Sequence, residues 1–371
     1  MIPDYIQAIC IELAFLAVNA PQPITVRSIY IGGGTPSLLP IEEIDRILRV
    51  VDNNYIVLRD VEITLEANPG TLSEIYLREL MHTGVNRVSI GMQSSIPIEL
   101  DILERQHTFL DVIQAVKFTR RAGINNVNLD LLFAVPYQSI KSWELSLKRA
   151  VALAPEHLSL YSMTLEQGTP MTRWVERGLV AEPITDLDAE MYEWAGEYLL
   201  SEGYRQYEIS NWARETKAGG IKHCIHNLQY WRNKPYLGFG AGAHGFASGT
   251  RVKNILSPRI YIERLLKTES SHYDVDQSLF PQSSVTIQAH TISKTTEMGE
   301  TMMMGLRLTE EGVSEREFER RFQLSICDVF GMEIDRLTSL GLLEWTGDRS
   351  PCIRLTSRGR MLGNQVFMEF V

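Results

Sequence analysis

"VRSIYIGGGTPSLL", residues 26–39, runs an apolar strand into three consecutive glycines followed by Thr-Pro. Glycine opens backbone conformations closed to other residues and lets a ligand approach the main chain, so Gly32, Gly33 and Gly34 read as a binding turn. The first alternative to weigh is a phosphate loop. Against it, the run is G-G-G-T-P without G-x-G-x-x-G spacing, and no Gly-Lys-Ser/Thr follows. Pro36 also removes an amide that a phosphate nest would use.

Working outward from this turn, strand-like stretches at 28–32, 61–66, 87–93, 126–132 and 157–163 alternate with helix-like stretches at 41–52, 72–83, 109–122 and 141–153. That order specifies an α/β fold with a parallel sheet and crossover helices. Several strands nevertheless alternate. Glu62, Thr64 and Glu66 share one face while Val61, Ile63 and Leu65 share the other, and Asn128 and Asp130 oppose Val127, Leu129 and Leu131. A parallel strand covered on both faces is nearly all apolar, so the polar face is expected to point into a wet barrel interior. Its last polar residues, Glu66, Gln93 and Asp130, are expected at the C-terminal strand ends, where barrel active sites lie.

The 371-residue chain exceeds the usual single-core size, and 44% hydrophobic with 22% charged residues is ordinary globular composition. A net charge of −10 argues against a nucleic-acid partner held by a general basic surface. No apolar run is expected to approach the roughly 18 residues of a membrane span. Residues 6–19, interrupted by Glu12 and lacking a basic leader, read as a buried helix, and the protein is expected to be cytoplasmic. Cys10, Cys224, Cys327 and Cys352 are scattered and form no C-x-x-C pair, so neither a disulfide framework nor a zinc site is indicated.

The blocks "YIGGGTPSLL", "EITLEANPG", "GVNRVSIGMQSS", "LERQHT", "NVNLDLLFAVPYQ", "LSLYSMTLEQGTPM", "YEISNWA", "HNLQYW" and "YLGFGAGAHGF" occur in this order. In order and spacing the chain resembles radical S-adenosylmethionine (SAM) proteins related to oxygen-independent coproporphyrinogen III oxidase, and within them the HemW branch of haem chaperones. The resemblance implies a partial (β/α) barrel with a small C-terminal domain. It also implies that the glycine run meets the amino-acid end of SAM: Gly33, Gly34 and Thr35 would line that end, Glu66 and Gln93 would reach the ligand, and Arg105 and Asp130 would complete the pocket. These residue types suit an amine, a carboxylate and ribose hydroxyls.

The family also implies a [4Fe-4S] cluster on three cysteines spaced C-x3-C-x2-C after a first barrel strand, and thiolates are what such irons need. The sequence given begins at Met1-Ile2-Pro3, where the following helix is expected. That first strand and its cysteines would lie upstream of Met1, leaving the barrel incomplete and the edge at Ser28–Ile31 bare. On this reading the metal ligands are absent from the chain and catalytic competence is open.

"KHCIHNLQYWRNKPYLGFGAGAHGF", residues 222–246, gathers His223, His226 and His244 among Tyr230, Trp231, Tyr236 and Phe239. Imidazole is a common axial haem ligand, and aromatic walls suit a flat macrocycle. By itself the segment reads rather as packing aromatics, with His226 hydrogen-bonded to backbone, since a histidine among aromatics is not a haem motif. The resemblance makes His226 the candidate haem ligand and Cys224 a weaker one.

The tail is expected to fold separately. The division is 1–269 for the barrel with its haem-associated segment, 270–287 for a linker, and 288–371 for a winged-helix-like α+β domain, with a hairpin around Thr346-Gly347-Asp348. From residue 297 onward it carries thirteen acidic and nine basic side chains, which fits a lid or packing unit better than a DNA reader. Two functions follow from the resemblance. One is a haem chaperone that binds haem and SAM and delivers haem to an acceptor protein, at a membrane or elsewhere. The other is a coproporphyrinogen-oxidase-like oxidoreductase of porphyrin synthesis, or an inactive truncated relative of it.

Overall fold

The computed structural model describes residues 1–165, 168, 170–181, 185–215, 220–269, 279–347 and 351–371. The first part of the chain forms α1 (Ile2–Asn19), β1 (Thr25–Ile31), α2 (Ile41–Asn54), β2 (Ile56–Ala67), α3 (Glu74–His82), β3 (Arg87–Gln93), α4 (Pro97–Ile102), α5 (Phe109–Arg121), β4 (Val127–Phe133), α6 (Ile140–Ala152), β5 (His157–Ser162), α7 (Pro170–Glu176), α8 (Thr185–Ser201), β6 (Tyr204–Glu208) and β7 (Asn211–Arg214). The remainder forms α9 (Ile225–Trp231), β8 (His244–Ala247), β9 (Thr250–Asn254), α10 (Pro258–Glu269), β10 (Thr286–Thr291), α11 (Lys294–Gly305), β11 (Val313–Ser314), α12 (Glu315–Phe322), α13 (Ile326–Ser339), β12 (Leu343–Thr346), β13 (Cys352–Leu355), α14 (Ser357–Met361) and α15 (Gly363–Phe367).

Local chemistry sets the helix starts. The Ser73 hydroxyl accepts from the Tyr76 amide at the head of α3, Thr108 and Asp111 form a reciprocal capping box on α5, and Ser139 and Ser142 do the same on α6. The main sheet has the order β1-β2-β3-β4-β5-β7-β6. Strands β2 to β5 pair in parallel, and the β6–β7 hairpin extends the sheet with antiparallel pairing. This hairpin was not foreseen, because its two short strands, YRQYE and NWAR, carry little apolar alternation. Strand β1 stands at one edge, with β2 its one neighbour among the described residues.

By contacts the chain divides into two units, one of Met1–Ile29, Leu39–Glu62 and Ile225–Val371, the other of Tyr30–Leu38 and Ile63–Cys224. In the first unit, Ile6, Cys10 and Leu13 of α1 pack with Ile47 and Val51 of α2 and with Tyr55. Over its 18 residues α1 has a mean hydropathy of 1.3 and is long and apolar enough to cross a membrane, which corrects the expectation that no run reaches that length. Eight of its residues are buried within the unit, including Glu12.

Glu12 shows why a carboxylate can interrupt this helix. The Tyr261 hydroxyl donates to its Oε2 at 2.5 Å, and the Gly240 amide donates to the same oxygen at 3.1 Å. Asn254 Nδ2 and Ser283 Oγ donate to Oε1 at 2.8 and 3.0 Å. Burial pushes the carboxyl pKa up, and these four donors oppose the rise. Also in this unit is a three-stranded sheet of order β10-β9-β8. A second sheet of order β11-β13-β12 combines with α11, α12 and α13 in the helix–strand–helix–helix–hairpin sequence of a winged-helix module. Strands β12 and β13 pair antiparallel, as expected of a hairpin; Asp348 lies outside the described residues, as does 270–278 of the expected linker.

Glu12→Ala leaves four buried donors without their acceptor and is expected to lower the unfolding free energy by about 3 kcal/mol in urea titration.

Candidate functional site

Each of the three opening glycines has its own structural reason. A Cβ on Gly32 would lie 2.9 Å from the Tyr30 ring and 3.1 Å from the Glu66 carboxyl, so a side chain there displaces one of them. Gly33 and Gly34 adopt φ of +87° and +63° with open space where a Cβ would point. The turn is tied down by Glu66: Tyr30 Oη donates to Oε1 at 2.7 Å and the Gly33 amide donates to Oε2 at 3.1 Å. Burial, and then the nearby Glu66 and Asp130 charges, push the Tyr30 phenol upward, which keeps it a donor. Thr35 lies half-buried just beyond, ahead of the short turn Pro36–Leu38.

Register sets the polar face in rows. Glu66 aligns with Ser89, Ser89 with Asn128, and Asn128 with His157; one layer on, Gly91 aligns with Asp130 and Asp130 with Ser159. This face is not wet, contrary to expectation. Asn128 and His157 are 1% and 0% exposed, and Thr64, Ser89 and Ser159 are likewise buried. Buried polar groups are as a rule hydrogen-bonded, and here Ser89, Asn128, His157 and Ser159 bond to one another and to Asp130, while Thr64 Oγ1 is left without a partner among the described residues. Ser89 Oγ donates to Asp130 Oδ2 at 2.9 Å, and Asn128 Nδ2 donates to Asp130 Oδ1 at 2.7 Å. The Asn128 carbonyl oxygen faces His157 Nδ1 at 2.6 Å, and His157 Nε2 faces Tyr207 Oη at 2.8 Å. The Cys224 amide donates to Tyr207 Oη at 3.2 Å. Because an amide oxygen accepts only, Nδ1 carries the imidazole proton and Nε2 accepts from the tyrosine.

Burial pushes Asp130 up, opposed by Ser89, Ser159, Asn128 and the buried Arg87 guanidinium. Burial, reinforced by Arg87 and His223, holds His157 well below its ordinary value and therefore neutral. Strand β4 continues to Phe133, so Asp130 sits inside the sheet and not at its rim; that expectation is corrected.

Gln93 does reach the rim. The Ser94 amide donates to the Met92 carbonyl at 2.7 Å, a three-residue turn with Gln93 at its centre and φ of +62°. A non-glycine residue in that region is strained, and strain persists only when the surroundings over-determine it. Here they do so through the next residue. Ser94 Oγ donates to the buried Glu99 at 2.5 Å, Gln138 Nε2 donates to the same carboxylate oxygen at 2.9 Å, and the Ser95 amide donates to Ser146 Oγ at 3.1 Å. Ala134, just past the end of β4, is likewise left-handed at φ of +57°. Arg105 follows α4 on an exposed turn, and its guanidinium makes no ion pair among the described residues. Glu66 thus bonds Tyr30 and the Gly33 amide, Asp130 bonds Ser89 and Asn128, Gln93 is held at the rim, and Arg105 makes no ion pair with either carboxylate. Sequence reading passed over Tyr30, Arg87, Ser89 and His157. The alternation Arg87-x-Ser89-x-Gly91-x-Gln93 was the available signal.

The second predicted centre lies in the other unit. His226 begins the HNLQYW turn on α9, whose first amides are held by Glu62: Ile225 N donates to Oε2 at 3.1 Å and His226 N to Oε1 at 3.0 Å. His226 Nδ1 meets Ser28 Oγ at 3.1 Å, and its ring contacts Tyr230 edge-on at 5.1 Å, an i,i+4 pair. Tyr230 contacts Tyr236 at 4.5 Å. Trp231 lies under the Arg307 guanidinium at 4.5 Å. Phe239 packs into the α1–α2 core, and His244 is exposed on β8. His223 stacks on Tyr207 at 4.3 Å, and Cys224 is 0% exposed, which removes the weaker haem-ligand candidate.

Gly33, Gly34, Glu66 and the donor-satisfied Asp130 offer carboxylates and main-chain groups that suit an ammonium and hydroxyls, so the chemistry of these residues fits SAM. A cluster is a different matter. Among the described residues no group of three His, Cys, Asp or Glu side chains is placed to hold a metal. The four cysteines are separately placed, Cys10 and Cys224 buried, Cys327 exposed and Cys352 half-buried, so these residues do not fit a three-thiolate cluster.

His157 binds a proton more readily unfolded than folded, so stability is expected to fall with acidification below about pH 6.5, by up to about 1.4 kcal/mol per pH unit from this group. Urea midpoints between pH 7 and 5.5 are expected to show this slope in the native chain and a shallower one in His157→Gln.

Comparison with known proteins completes the picture. Residues 13–150 match the Radical SAM superfamily and residues 292–362 the HemN C-terminal domain. The fold is shared with coproporphyrinogen III oxidase HemN of Escherichia coli, at a TM-score of 0.78 and 19% identity over 99% of this chain and 82% of that one. It is the α/β partial barrel of radical SAM proteins with a small C-terminal domain. The mitochondrial radical S-adenosyl methionine domain-containing protein 1 of Mus musculus is 35% identical over 86% of this chain and 70% of its own length. The heme chaperone HemW of Bacillus subtilis is 33% identical over 100% of this chain and 92% of its own length, and the heme chaperone HemW of Lactococcus lactis is 34% identical over 93% and 85%. The chain belongs to the HemW family of radical SAM proteins.

Proposed function

We propose that this chain binds haem on the α9 segment and SAM in the partial barrel, and delivers haem to a haem-requiring acceptor protein. The observation that carries the reading is His226, fixed by Ser28 at Nδ1 and by Tyr230 at its ring edge, in a chain whose full-length relatives are named haem chaperones. Iron ligation through Nε2 leaves the Ser28 contact intact, and a hydrogen bond on one ring nitrogen is the usual way a protein fixes the orientation of a histidine ligand. Identity of 33–35% to relatives named heme chaperone HemW, against 19% to the oxidase, favours delivery over porphyrin oxidation.

For SAM, Gly33, Gly34 and Thr35 would meet the amino-acid end, Glu66 its ammonium, and Gln93, Arg105 and Asp130 the remaining polar groups. When bound with a cluster in this family SAM supplies radical chemistry; this chain's own residues hold and orient it. We assign the functional division as 1–269 for ligand binding, 270–287 for the connection and 288–371 for a lid or packing unit. The burial of α1 in two core clusters, by Ile6, Cys10 and Leu13 on one side and Ala8 and Ile11 on another, supports a cytoplasmic protein, whose acceptor can sit at a membrane.

Titration of ferric haem, followed by its Soret band, is expected to saturate at one equivalent in the native chain and to weaken about tenfold or more in His226→Ala. An unchanged spectrum and affinity in the variant would remove His226 from the site. Independently, Gln93→Gly is expected to leave unfolding stability unchanged or raised, since strain is released, while calorimetry shows SAM affinity falling.

A further inference from the structure

The three-stranded sheet beside α9 aligns side chains that neither the barrel nor the haem-ligand assignment uses. Tyr236 and Phe246 exchange backbone hydrogen bonds of 2.8 Å, Phe246 pairs with Arg251, and Arg251 pairs with His290. Directly opposed residues share a face, so Tyr236, Phe246, Arg251 and His290 form one row across the sheet. Two residues along each strand, His244, Lys253 and Gln288 form a second row on that face. His226 leads into the first row through Tyr230 and Tyr236, with ring centroids 5.1 and 4.5 Å apart. The path therefore runs from an imidazole over two half-buried tyrosines to a cationic end.

The two cations at that end differ. Arg251 lies 5.8 Å over the buried Phe246 ring and pairs with Glu300 at 2.9 Å, so much of its charge is already answered. Lys253 is half-buried, flanked across the strands by His244 and Gln288, and makes no ion pair among the described residues. Haem presents a flat apolar ring, an iron at its centre and two carboxylates on one edge. An aromatic path with an imidazole at one end and an unanswered ammonium at the other matches that distribution.

We propose that the β8–β9–β10 face is the propionate-recognising part of the haem site, with Lys253 the principal carboxylate partner and Arg251 and His290 beside it. The proposal rests on the haem reading above and adds a ligand requirement to it: the porphyrin must carry free carboxylates. Charge-assisted hydrogen bonds to carboxylate are among the stronger polar contacts, and partly exposed ones weaken with salt.

The test compares ferric haem with its propionate dimethyl ester, both delivered from one detergent stock, in native protein, Lys253→Met, Lys253→Arg and His226→Ala. Native protein is expected to prefer the free acid by about tenfold, with the preference shrinking at higher salt. Lys253→Met is expected to lose most of that preference while keeping the His226-dependent Soret band, and Lys253→Arg to retain it. His226→Ala is expected to bind both porphyrins more weakly yet still favour the acid. Equal binding of acid and ester by the native protein, or an undiminished preference in Lys253→Met, overturns the proposal while leaving the haem reading in place. No His226-dependent binding of either porphyrin overturns both.

Discussion

A parallel sheet with a polar face must satisfy that face from within, and this requirement organises the barrel unit. Glu66, Ser89, Asn128 and His157 lie side by side across four strands, and Asp130 receives donors from two of them. Ser89, Asn128 and His157 are held through one another and Asp130, and Glu66 by Tyr30 and the Gly33 amide. An unpaired group here would cost about 1–3 kcal/mol, so the row tolerates few substitutions and keeps its carboxylates in fixed orientation. The fixed carboxylates in turn shape the glycine turn, since Glu66 accepts from both Tyr30 and Gly33.

Similar reasoning explains the other unit. Glu12 enters an apolar helix and is matched by four donors from distant parts of the sequence, and Glu62 holds the first amides of α9. Both carboxylates draw separate segments to one place. Glu62 fixes where α9 begins and therefore where His226 stands, while Ser28 fixes how its ring is turned. The candidate haem ligand is thus placed by two side chains from the first two strands of the sheet.

Much of this was legible in the residues. The order of β1 to β5 with α2, α3, α5 and α6 followed from period, because those segments alternate or repeat clearly, whereas the six-residue α4 was too short to show. The glycine run announced a turn, although the separate reason for Gly32, a lack of room beside Tyr30 and Glu66, needed tertiary neighbours. The polar face was visible in the alternation, but its dryness was not: burial of Asn128 and His157 depends on Tyr207, about fifty residues beyond His157, closing over them. Short polar strands such as YRQYE give little signal, which hid the β6–β7 hairpin. The strained turn at Gln93 arises from Glu99, Gln138 and Ser146, and nothing local to Gln93 foretells it.

The central claim is that His226 holds haem iron against the Tyr230–Tyr236 surface. The most direct measurement is a crystal structure of the protein grown with one equivalent of ferric haem. The account predicts iron on His226 Nε2, the Ser28 contact retained on Nδ1, and the macrocycle against Tyr230 and Tyr236. Iron on another residue, with His226 still packed as it stands here, would contradict it.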